Sequence, residues 1–312
     1  METVRNKKLI NFNRKKMFDL IFYIALLTPP ILSIIVFYII VHANSIRMAF
    51  CAYDAETKSY FWNNFGSFGR VFKELAMSKG TWSIAFKNSY LLYGLGWLTH
   101  TPINFILCYF IYKHAGIGGW FKVALFIPTI MSSMVTLIMF KYFANNAIPA
   151  MLQKITNSKE MIPGLLTMEG VRFWTMWLHG FFTGFGSGLL LYLNAMKAIS
   201  PSIVEAAHLD GITYWGEFYY ITLPLIFSTW RVFIVTGVAG ILGNQFGGFQ
   251  LFGESAPPDI QTVGYKLYVE SVTRGDSEYP FLSAFGLLIS LLTMVPTMFA
   301  RWLTERIDPV EN

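Results

Sequence analysis

A polar segment between two long apolar runs, residues 196–224, has the residue spacing best suited to contact another protein. A serine followed by Pro201 suits a helix start, because a hydroxyl caps the first turn and proline fits the first helical position. Glu205 follows beside two alanines, and Gly211 ends the helix because glycine readily adopts the left-handed conformation. We therefore expect a small helix with one exposed carboxylate and a flat alanine face, suited to docking into a cleft on a partner. A second helix is expected over residues 212–220.

Amide and aromatic side chains occur together near one end of a later apolar run, at Asn244, Gln245, Phe246, Phe249 and Gln250. Sugars need both kinds of group, because their hydroxyls take hydrogen bonds from amides and their apolar faces stack on rings. The set could therefore contact a sugar. The alternative is an ordinary polar helix end inside an interfacial belt of aromatic residues.

Motifs of catalysis are missing from the sequence. It contains no HExxH, no GxSxG, no paired carboxylates within one apolar run and no GxxxxGK[ST] phosphate loop. The two cysteines, Cys51 and Cys108, have no metal-ligand spacing and give no disulfide framework. We expect no catalytic, cofactor-binding or metal site in this chain. The rival is a membrane-embedded enzyme, which would hydrolyse or transfer a substrate as the purified chain alone.

The composition is that of a membrane protein. Of 312 residues, 54% are hydrophobic and 13% charged, whereas soluble domains carry about 25% charged residues. A helix crosses about 30 Å of hydrocarbon with roughly 20 apolar residues. Runs of that length cover residues 18–41, 89–112, 120–143, 172–195, 221–242 and 281–302. The sequence therefore predicts an all-α integral membrane protein with about six transmembrane helices.

The charge distribution predicts the topology. The net charge is +6, and the basic residues are concentrated at the ends of apolar runs, which argues against nucleic-acid binding and for a positive-inside bias. We predict a basic cytoplasmic N-terminus (1–17), a transmembrane domain (18–306) and a cytoplasmic tail (307–312). Within the domain, residues 42–88 form an external loop, folded as a cap because it is rich in aromatic residues, and residues 196–224 a cytoplasmic loop. The first apolar run is too long for the core of a signal peptide, so we expect a retained anchor in the cell membrane.

Helix breakers interrupt most of the apolar runs. Pro29, Pro30, Pro102 and Pro128 lie inside them, and such residues persist in lipid only where neighbouring helices or a water-filled cavity satisfy the freed backbone groups. This favours a packed, moving bundle.

Arg231 lies within the fifth run and is expected to extend to the cytoplasmic interface, with pairing inside the bundle as the alternative.

Small and ionisable residues within the runs have two interpretations each. Gly180, Gly184 and Gly188 repeat every four residues, which is typical of a close-packing helix face, with lining of a substrate path as the alternative. His100 and His179 are intramembrane ionisable groups. Without acidic partners in the same helices they are expected to be neutral, hydrogen-bonded packing residues, with a proton relay as the alternative.

The cytoplasmic loop resembles a known signature. Its fixed positions are Glu205-Ala206-Ala207, three residues, Gly211, nine residues, Ile221, one residue and Leu223-Pro224. This spacing resembles the EAA motif of ABC importer permeases, and EAAHLDG followed by ITLP resembles their carbohydrate-uptake, MalF-like branch. Similar residues of that branch occur in the segment 65–88, Phe126-Ile127-Pro128, Phe246-Gly247-Gly248-Phe249 and Thr262-Val263-Gly264-Tyr265. Pro201 is one position nearer the glutamate than usual, and Gln250 replaces an acidic residue.

The resemblance implies a type I ABC importer permease fold with a cytoplasmic coupling helix that docks into an ATPase. The implied coupling residues are Glu205, Ala206, Ala207, Asp210, Gly211, Leu223 and Pro224. The candidates for the substrate path are Gly184, Ser187, Asn244, Gln245, Phe246, Phe249 and Gln250.

The implied function is that of a permease subunit, not an enzyme, which translocates a sugar or oligosaccharide by alternating access. The implied partners are a second homologous permease, an ABC ATPase dimer, an extracellular or periplasmic solute-binding protein and membrane lipid. ATP and Mg²⁺ would be bound by the ATPase. A homodimer is an alternative to the second permease. An importer for a polyol, glycerol phosphate or amino acid is the alternative for the cargo.

Overall fold

The computed structural model describes residues 2–77, 80–157 and 159–308. The end of the predicted cytoplasmic tail, 309–312, lies outside the described residues. The chain divides into two compact units: a first unit of residues 1–72 with 276–287, and a second unit of residues 73–275 with 288–312.

Helices dominate both units. In chain order they are α1 (Glu2–Ser33), α2 (Val41–Ala49), α3 (Gly66–Met77), α4 (Thr81–Lys113), α5 (Ala115–Ile130), α6 (Ser133–Tyr142), α7 (Ile148–Thr156), α8 (Arg172–Lys197), α9 (Pro201–Leu209), α10 (Tyr214–Glu217), α11 (Leu223–Leu225), α12 (Phe227–Gly240), α13 (Gly248–Phe252), α14 (Val263–Thr273) and α15 (Tyr279–Ile307). Stretches of π-helix cover Ile34–Ile40, Phe143–Ala147 and Phe218–Thr222, and short 3₁₀ turns cover Pro258–Ile260 and Asp276–Glu278.

The first unit contains a departure from the all-α expectation. Strands β1 (Cys51–Asp54) and β2 (Ser59–Trp62) form an antiparallel hairpin in which Cys51 pairs with Trp62. The Phe50 ring stacks on Trp62 with 5.5 Å between centroids, and the Ser67 hydroxyl at the start of α3 donates to the Cys51 carbonyl at 2.7 Å. Part of the loop predicted over 42–88 is therefore a hairpin that contacts α3, whereas its two ends belong to α2 and α4. A folded cap over the whole loop stays a prediction, and so does the external location of the loop.

Length and hydropathy single out the strongest candidate membrane spans. Among the described residues, the helical stretches Lys16–Ala49 and Asp276–Ile307 are long and apolar enough to cross a bilayer. Two bent pairs, Gly118–Ile130 with Ser133–Thr156 and Tyr214–Leu225 with Phe227–Gly240, would raise the number to four if each pair is one span. These stretches overlap four of the predicted runs, so the number of six crossings stays a prediction.

The two remaining predicted crossings fall in α4 and α8, which have 33 and 26 residues. At 1.5 Å per residue they are about 50 and 39 Å long, enough to span by length. Polar residues lower their hydropathy, and His100, Asn104 and His179 among them line a cavity. A polar face turned toward a cavity instead of lipid accounts for the weaker apolar signal.

The core of the second unit joins α4 and α8 to the segment that follows α9. Its buried members are Phe105, Cys108, Tyr109, Ile111, Leu189, Tyr192, Leu193, Met196, Ile199, Phe218 and Ile226. Because Phe218 and Ile226 lie beyond α9 in the chain, this cluster attaches the predicted cytoplasmic loop to the long helices.

Candidate functional site

The predicted docking helix is present as α9. Ser200 is its N-cap residue with an extended backbone, and Pro201 occupies the first helical position. The Ser200 side chain does not cap the helix. Its hydroxyl oxygen instead lies 2.8 Å from that of Ser202. The start of the helix is therefore set by the proline and the backbone conformation rather than by a side-chain cap.

Gly211 ends α9 in the conformation predicted from the sequence. It has φ +78°, its N–H donates to the His208 carbonyl at 3.1 Å, and the Ile212 N–H donates to the Ala207 carbonyl at 3.1 Å. This pair of bonds is the Schellman arrangement, which satisfies the last carbonyls of the helix. The chain therefore reverses direction directly after α9, the helix that carries Glu205.

The second predicted helix, 212–220, differs from the structure. Helix α10 begins only at Tyr214, because the Thr213 hydroxyl accepts a hydrogen bond from the Gly216 N–H at 3.1 Å and so caps the helix there. From Phe218 the backbone is π-helical, and Leu223 and Pro224 lie in the single turn of α11. Capping by a threonine was missed because the prediction placed the boundary at the preceding glycine.

Solvent exposure fits α9 for contact with a partner. None of its residues is buried. Glu205 and Ala206 are exposed, Ala207 is partly buried, and the Leu209 side chain is 90% exposed. An exposed leucine beside a carboxylate and a flat alanine face is typical of a surface that another protein covers.

A buried acid, Glu217, fastens this loop to α4. Its carboxylate lies 2.5 Å from the ammonium of Lys113, the last residue of α4, and 3.1 Å from Nε2 of His208 in α9. Only 1% of the Glu217 side chain is exposed. The Tyr109 hydroxyl donates to the Tyr214 carbonyl at 3.0 Å beside it. A buried carboxylate requires such compensation, so Glu217 is an anchor between the ends of α4, α9 and α10.

Sequence reasoning did not identify Glu217 as an anchor. The available signal was an acidic residue among aromatic residues close to the next apolar run, but its partner Lys113 is far away in the sequence. Only the fold brings the two together.

A cavity of ≈ 410 Å³ lies within the second unit. That is inside the range of roughly 300–1,000 Å³ occupied by small-molecule sites. Helices α4 and α8 form most of it, and α12, the turn before α13 and α13 itself complete it. Its lining residues are Leu92, Tyr93, Gly96, Trp97, His100, Thr101, Asn104, Met176, Trp177, His179, Gly180, Phe181, Thr183, Gly188, Tyr192, Trp230, Phe233, Asn244, Phe246, Gly247 and Gln250.

Aromatic rings and uncharged polar groups share this lining. The indoles of Trp97 and Trp230 are parallel, with 5.9 Å between centroids and 11° between planes. The Phe105 ring meets Trp230 edge-on at 5.5 Å and holds it in place. Asn104 and Asn244 add amides to the same cavity. Rings and amides together provide the two kinds of contact that a sugar needs.

Three of the predicted substrate-path residues, Asn244, Phe246 and Gln250, line this cavity. Gln245 and Phe249 do not, and the Phe249 ring packs edge-on against Tyr268, with 4.8 Å between centroids.

Gly184 also lies outside the lining, at a close approach to α4, where a Cβ would come within 3.0 Å of the His100 ring. Gly180 and Gly188 of the same row do line the cavity. The row therefore serves both close packing and lining. Ser187 lies in α8, but its side chain is outside the described part of the chain. A role for any of these residues in substrate contact stays a prediction.

The main residues that the sequence analysis missed are the lining tryptophans. A signal was available in α4, where Tyr93, Trp97, His100 and Asn104 recur at steps of three and four residues and so share one helix face. The partner Trp230 lies on another helix, and its position beside Trp97 depends on the packing of the bundle.

A polar clamp holds the 3₁₀ turn Pro258–Ile260, which follows α13. The Asn88 amide in α4 donates to the carbonyls of Asp259 and Gln261 at 2.7 and 3.0 Å. Arg172 at the start of α8 pairs with Asp259 at 2.5 Å. These bonds fix the 3₁₀ turn to the first parts of α4 and α8. The Thr262 hydroxyl, next to Gln261, donates to the Asn244 carbonyl at 3.3 Å and so connects the clamp to a lining residue of the cavity.

Arg231 pairs with Asp308, which follows α15 in the predicted cytoplasmic tail, so this contact fits both expectations and each stays a prediction. Its guanidinium lies 3.3 Å from the carboxylate of Asp308, which is 1% exposed. The two residues are far apart in the sequence, so only the fold brings this pair together.

Two of three comparisons with known proteins find similar chains. No family model matches it. It is 27% identical over 202 residues to the arabinooligosaccharides transport system permease protein AraP of Halalkalibacterium halodurans, covering 59% of this chain and 58% of that protein. It is 27% identical over 122 residues to the lactose transport system permease protein LacF of Rhizobium radiobacter, covering 37% of each. It is 22% identical over 191 residues to the multiple sugar-binding transport system permease protein MsmF of Streptococcus mutans, covering 61% of this chain and 64% of that protein. The chain thus spans less than two thirds of the length of these relatives.

The fold comparison is more extensive. A crystal structure of a bacterial ABC transporter involved in the import of the acidic polysaccharide alginate matches with a TM-score of 0.77 at 22% identity, covering 94% of this chain and 98% of that chain. The same kind of transporter in complex with an alginate pentasaccharide-bound periplasmic protein matches with a TM-score of 0.76 at 21% identity, covering 95% of this chain and 98% of that chain.

The fold is that of an ABC importer permease, and the protein is a helical membrane protein. The resemblance to carbohydrate-uptake permeases inferred from the EAA loop is confirmed by its similarity to sugar transport permeases.

Proposed function

We propose that this chain is the permease subunit of an ATP-binding-cassette importer that moves a sugar or oligosaccharide across the cell membrane by alternating access. The observation that carries the proposal is α9, an exposed helix with the EAA spacing, closed by the Gly211 turn and fastened to α4 through Glu217. A helix with no buried residue, held by a buried ion pair at its base, suits the transfer of force from a docked partner into the bundle.

In this proposal α9 is the cytoplasmic coupling helix. Glu205, Ala206 and Ala207 contact the ATPase, Asp210 and Gly211 form the turn behind them, and Leu223 with Pro224 begins the return into the membrane. Six crossings place both termini in the cytoplasm. The partners are an ABC ATPase dimer, which binds ATP and Mg²⁺, a second homologous permease and an external solute-binding protein. The cavity is the part of the path where sugar is held, with Asn244, Phe246 and Gln250 as contacts.

The decisive experiment uses the complete transporter in proteoliposomes. Binding-protein-stimulated ATP hydrolysis and sugar uptake are measured for the wild type, Glu205→Lys and Glu169→Lys. Glu169 is an exposed carboxylate outside α9, so Glu169→Lys controls for the effect of reversing a surface charge. We expect Glu205→Lys to abolish stimulated uptake and Glu169→Lys to retain it. Unchanged uptake and stimulation in Glu205→Lys would refute the coupling role.

A further inference from the structure

The cavity of the second unit contains no charged side chain in its described lining. None of its lining residues is Asp, Glu, Lys or Arg. Arg231, which follows the lining residue Trp230 in the sequence, is paired with Asp308. An anionic ligand in this cavity would lose its hydration without gaining a cation, which is unfavourable in a largely apolar site.

Three of the described lining residues carry a buried polar atom that lacks a hydrogen-bond partner. The indole Nε1 atoms of Trp177 and Trp230 and Nδ1 of His179 are buried, and none of the three has a partner among the described residues. An indole N–H only donates, whereas an imidazole nitrogen donates or accepts according to its tautomer. Buried polar atoms without partners are rare in proteins and indicate a place for a ligand or an ordered water.

The lining amides extend the same polar pattern. Asn104, Asn244 and Gln250 each present both a donor and an acceptor. A hydroxyl group also donates and accepts, so it matches amides, indoles and imidazole alike. A carboxylate only accepts, and it would face the amide oxygens without a proton to offer them. The lining is therefore complementary to hydroxyls.

We infer that this cavity binds uncharged saccharides and discriminates against sugar acids and phosphorylated or zwitterionic solutes, with Trp177 and Trp230 as hydroxyl-binding donors. The inference rests on the proposed function, since it names the cargo of the same path. It also separates this chain from the solved transporters of the same fold, which are involved in the import of an acidic polysaccharide.

The first experiment compares two ligand classes at matched chain length. The purified complete transporter is titrated with neutral di- to pentasaccharides of glucose, galactose and arabinose, and with galacturonate and mannuronate oligosaccharides of the same lengths, by equilibrium dialysis. We expect binding of at least one neutral sugar and at least about tenfold weaker binding of every uronate. Equal or tighter binding of a uronate overturns the inference, and so does binding of neither class.

The second experiment tests the donors. Trp230→Phe and Trp177→Phe keep an aromatic ring but remove the N–H, and each is expected to weaken neutral-sugar binding about tenfold, in line with the loss of one buried hydrogen bond. Trp174→Phe is the matched control, because Trp174 lies on α8 outside the cavity lining and is exposed. Unchanged affinity in both lining variants, with assembly intact, would refute the donor role.

The third experiment inverts the selectivity. Thr101→Lys places a cation in the lining and is expected to shift the uronate-to-neutral preference by at least about tenfold, because a buried opposite charge compensates the carboxylate. Thr156→Lys, on exposed α7, is the control. If the wild type takes up uronates and Glu205→Lys does not, the selectivity is overturned and the importer function stands. If Glu205→Lys takes up sugar as well as the wild type does, the importer function is overturned instead.

Discussion

The carboxylate of Glu217 lies 2.5 Å from the ammonium of Lys113, which joins the end of α4 to the loop that follows the exposed helix α9. His208 of α9 contacts the other carboxylate oxygen at 3.1 Å. Glu217 therefore connects α9 with α4, and α4 carries Trp97, one of the lining residues of the cavity.

Removing Lys113 should be more harmful than removing the ion pair altogether. Lys113→Met leaves a buried, uncompensated carboxylate and is expected to lower the free energy of unfolding by roughly 3 kcal/mol. The double variant Lys113→Met/Glu217→Leu should recover most of that loss, because apolar replacement of a buried pair is often neutral. Thermal unfolding in detergent measures the stabilities, and Lys197→Met, at an exposed lysine, is the control.

The double variant also separates stability from coupling. We expect it to hydrolyse ATP while moving fewer sugar molecules per ATP than the wild type, since the link between α9 and α4 is lost. A normal ratio of sugar moved to ATP hydrolysed would show that Glu217 only stabilises the fold.

Gly211 should tolerate asparagine better than alanine. Its φ of +78° is unfavourable for a side chain, so Gly211→Ala is expected to cost about 1 kcal/mol of stability and to reduce ATPase stimulation. Asparagine adopts this conformation more readily and should show a smaller effect. Gly119→Ala, in α5 with open space around a Cβ and no positive φ, is the control and should be neutral or stabilising. Equal behaviour of the alanine and asparagine variants would contradict the role of the backbone conformation.

Leucine substitutions at two glycines of the row in α8 should impair different properties, stability in one case and sugar binding in the other. Gly184→Leu is expected to destabilise the protein, because a Cβ already comes within 3.0 Å of the His100 ring. Gly180→Leu has open space around its Cβ and lines the cavity, so it should leave the melting temperature unchanged and weaken sugar binding by filling the site. If Gly180→Leu lowered the melting temperature and Gly184→Leu weakened only sugar binding, the packing role would belong to Gly180 and the lining role to Gly184.

Asn88 should be essential for the clamp that holds the 3₁₀ turn Pro258–Ile260. Asn88→Ala removes the donor to the carbonyls of Asp259 and Gln261 and leaves both underbonded, which is expected to cost about 1–3 kcal/mol. Hydrogen exchange of residues 241–274 should accelerate, whereas the exposed control Asn44→Ala should not change it. Unaltered exchange in Asn88→Ala would mean that Arg172 alone holds the turn.

Local features were predictable from the sequence because their causes are local. The helix α9, its start at Pro201 and its end at Gly211 follow from residues within a few positions of one another. The apolar run 172–195 coincides with α8 within two residues, since hydropathy alone marks such a segment. The late start of α10 was missed because a single threonine hydroxyl decided it.

The sequence by itself determined a helical membrane protein with an EAA loop, because composition and spacing are properties of neighbouring residues. Only the tertiary structure decided that Glu217 pairs with Lys113, that Arg231 pairs with Asp308, and that Trp97 stacks on Trp230 in an uncharged cavity. The two residues of each pair are far apart in the sequence, and each could interact equally well with many other charged or aromatic residues. The packing of α4, α8 and α12 determines which residue becomes the partner.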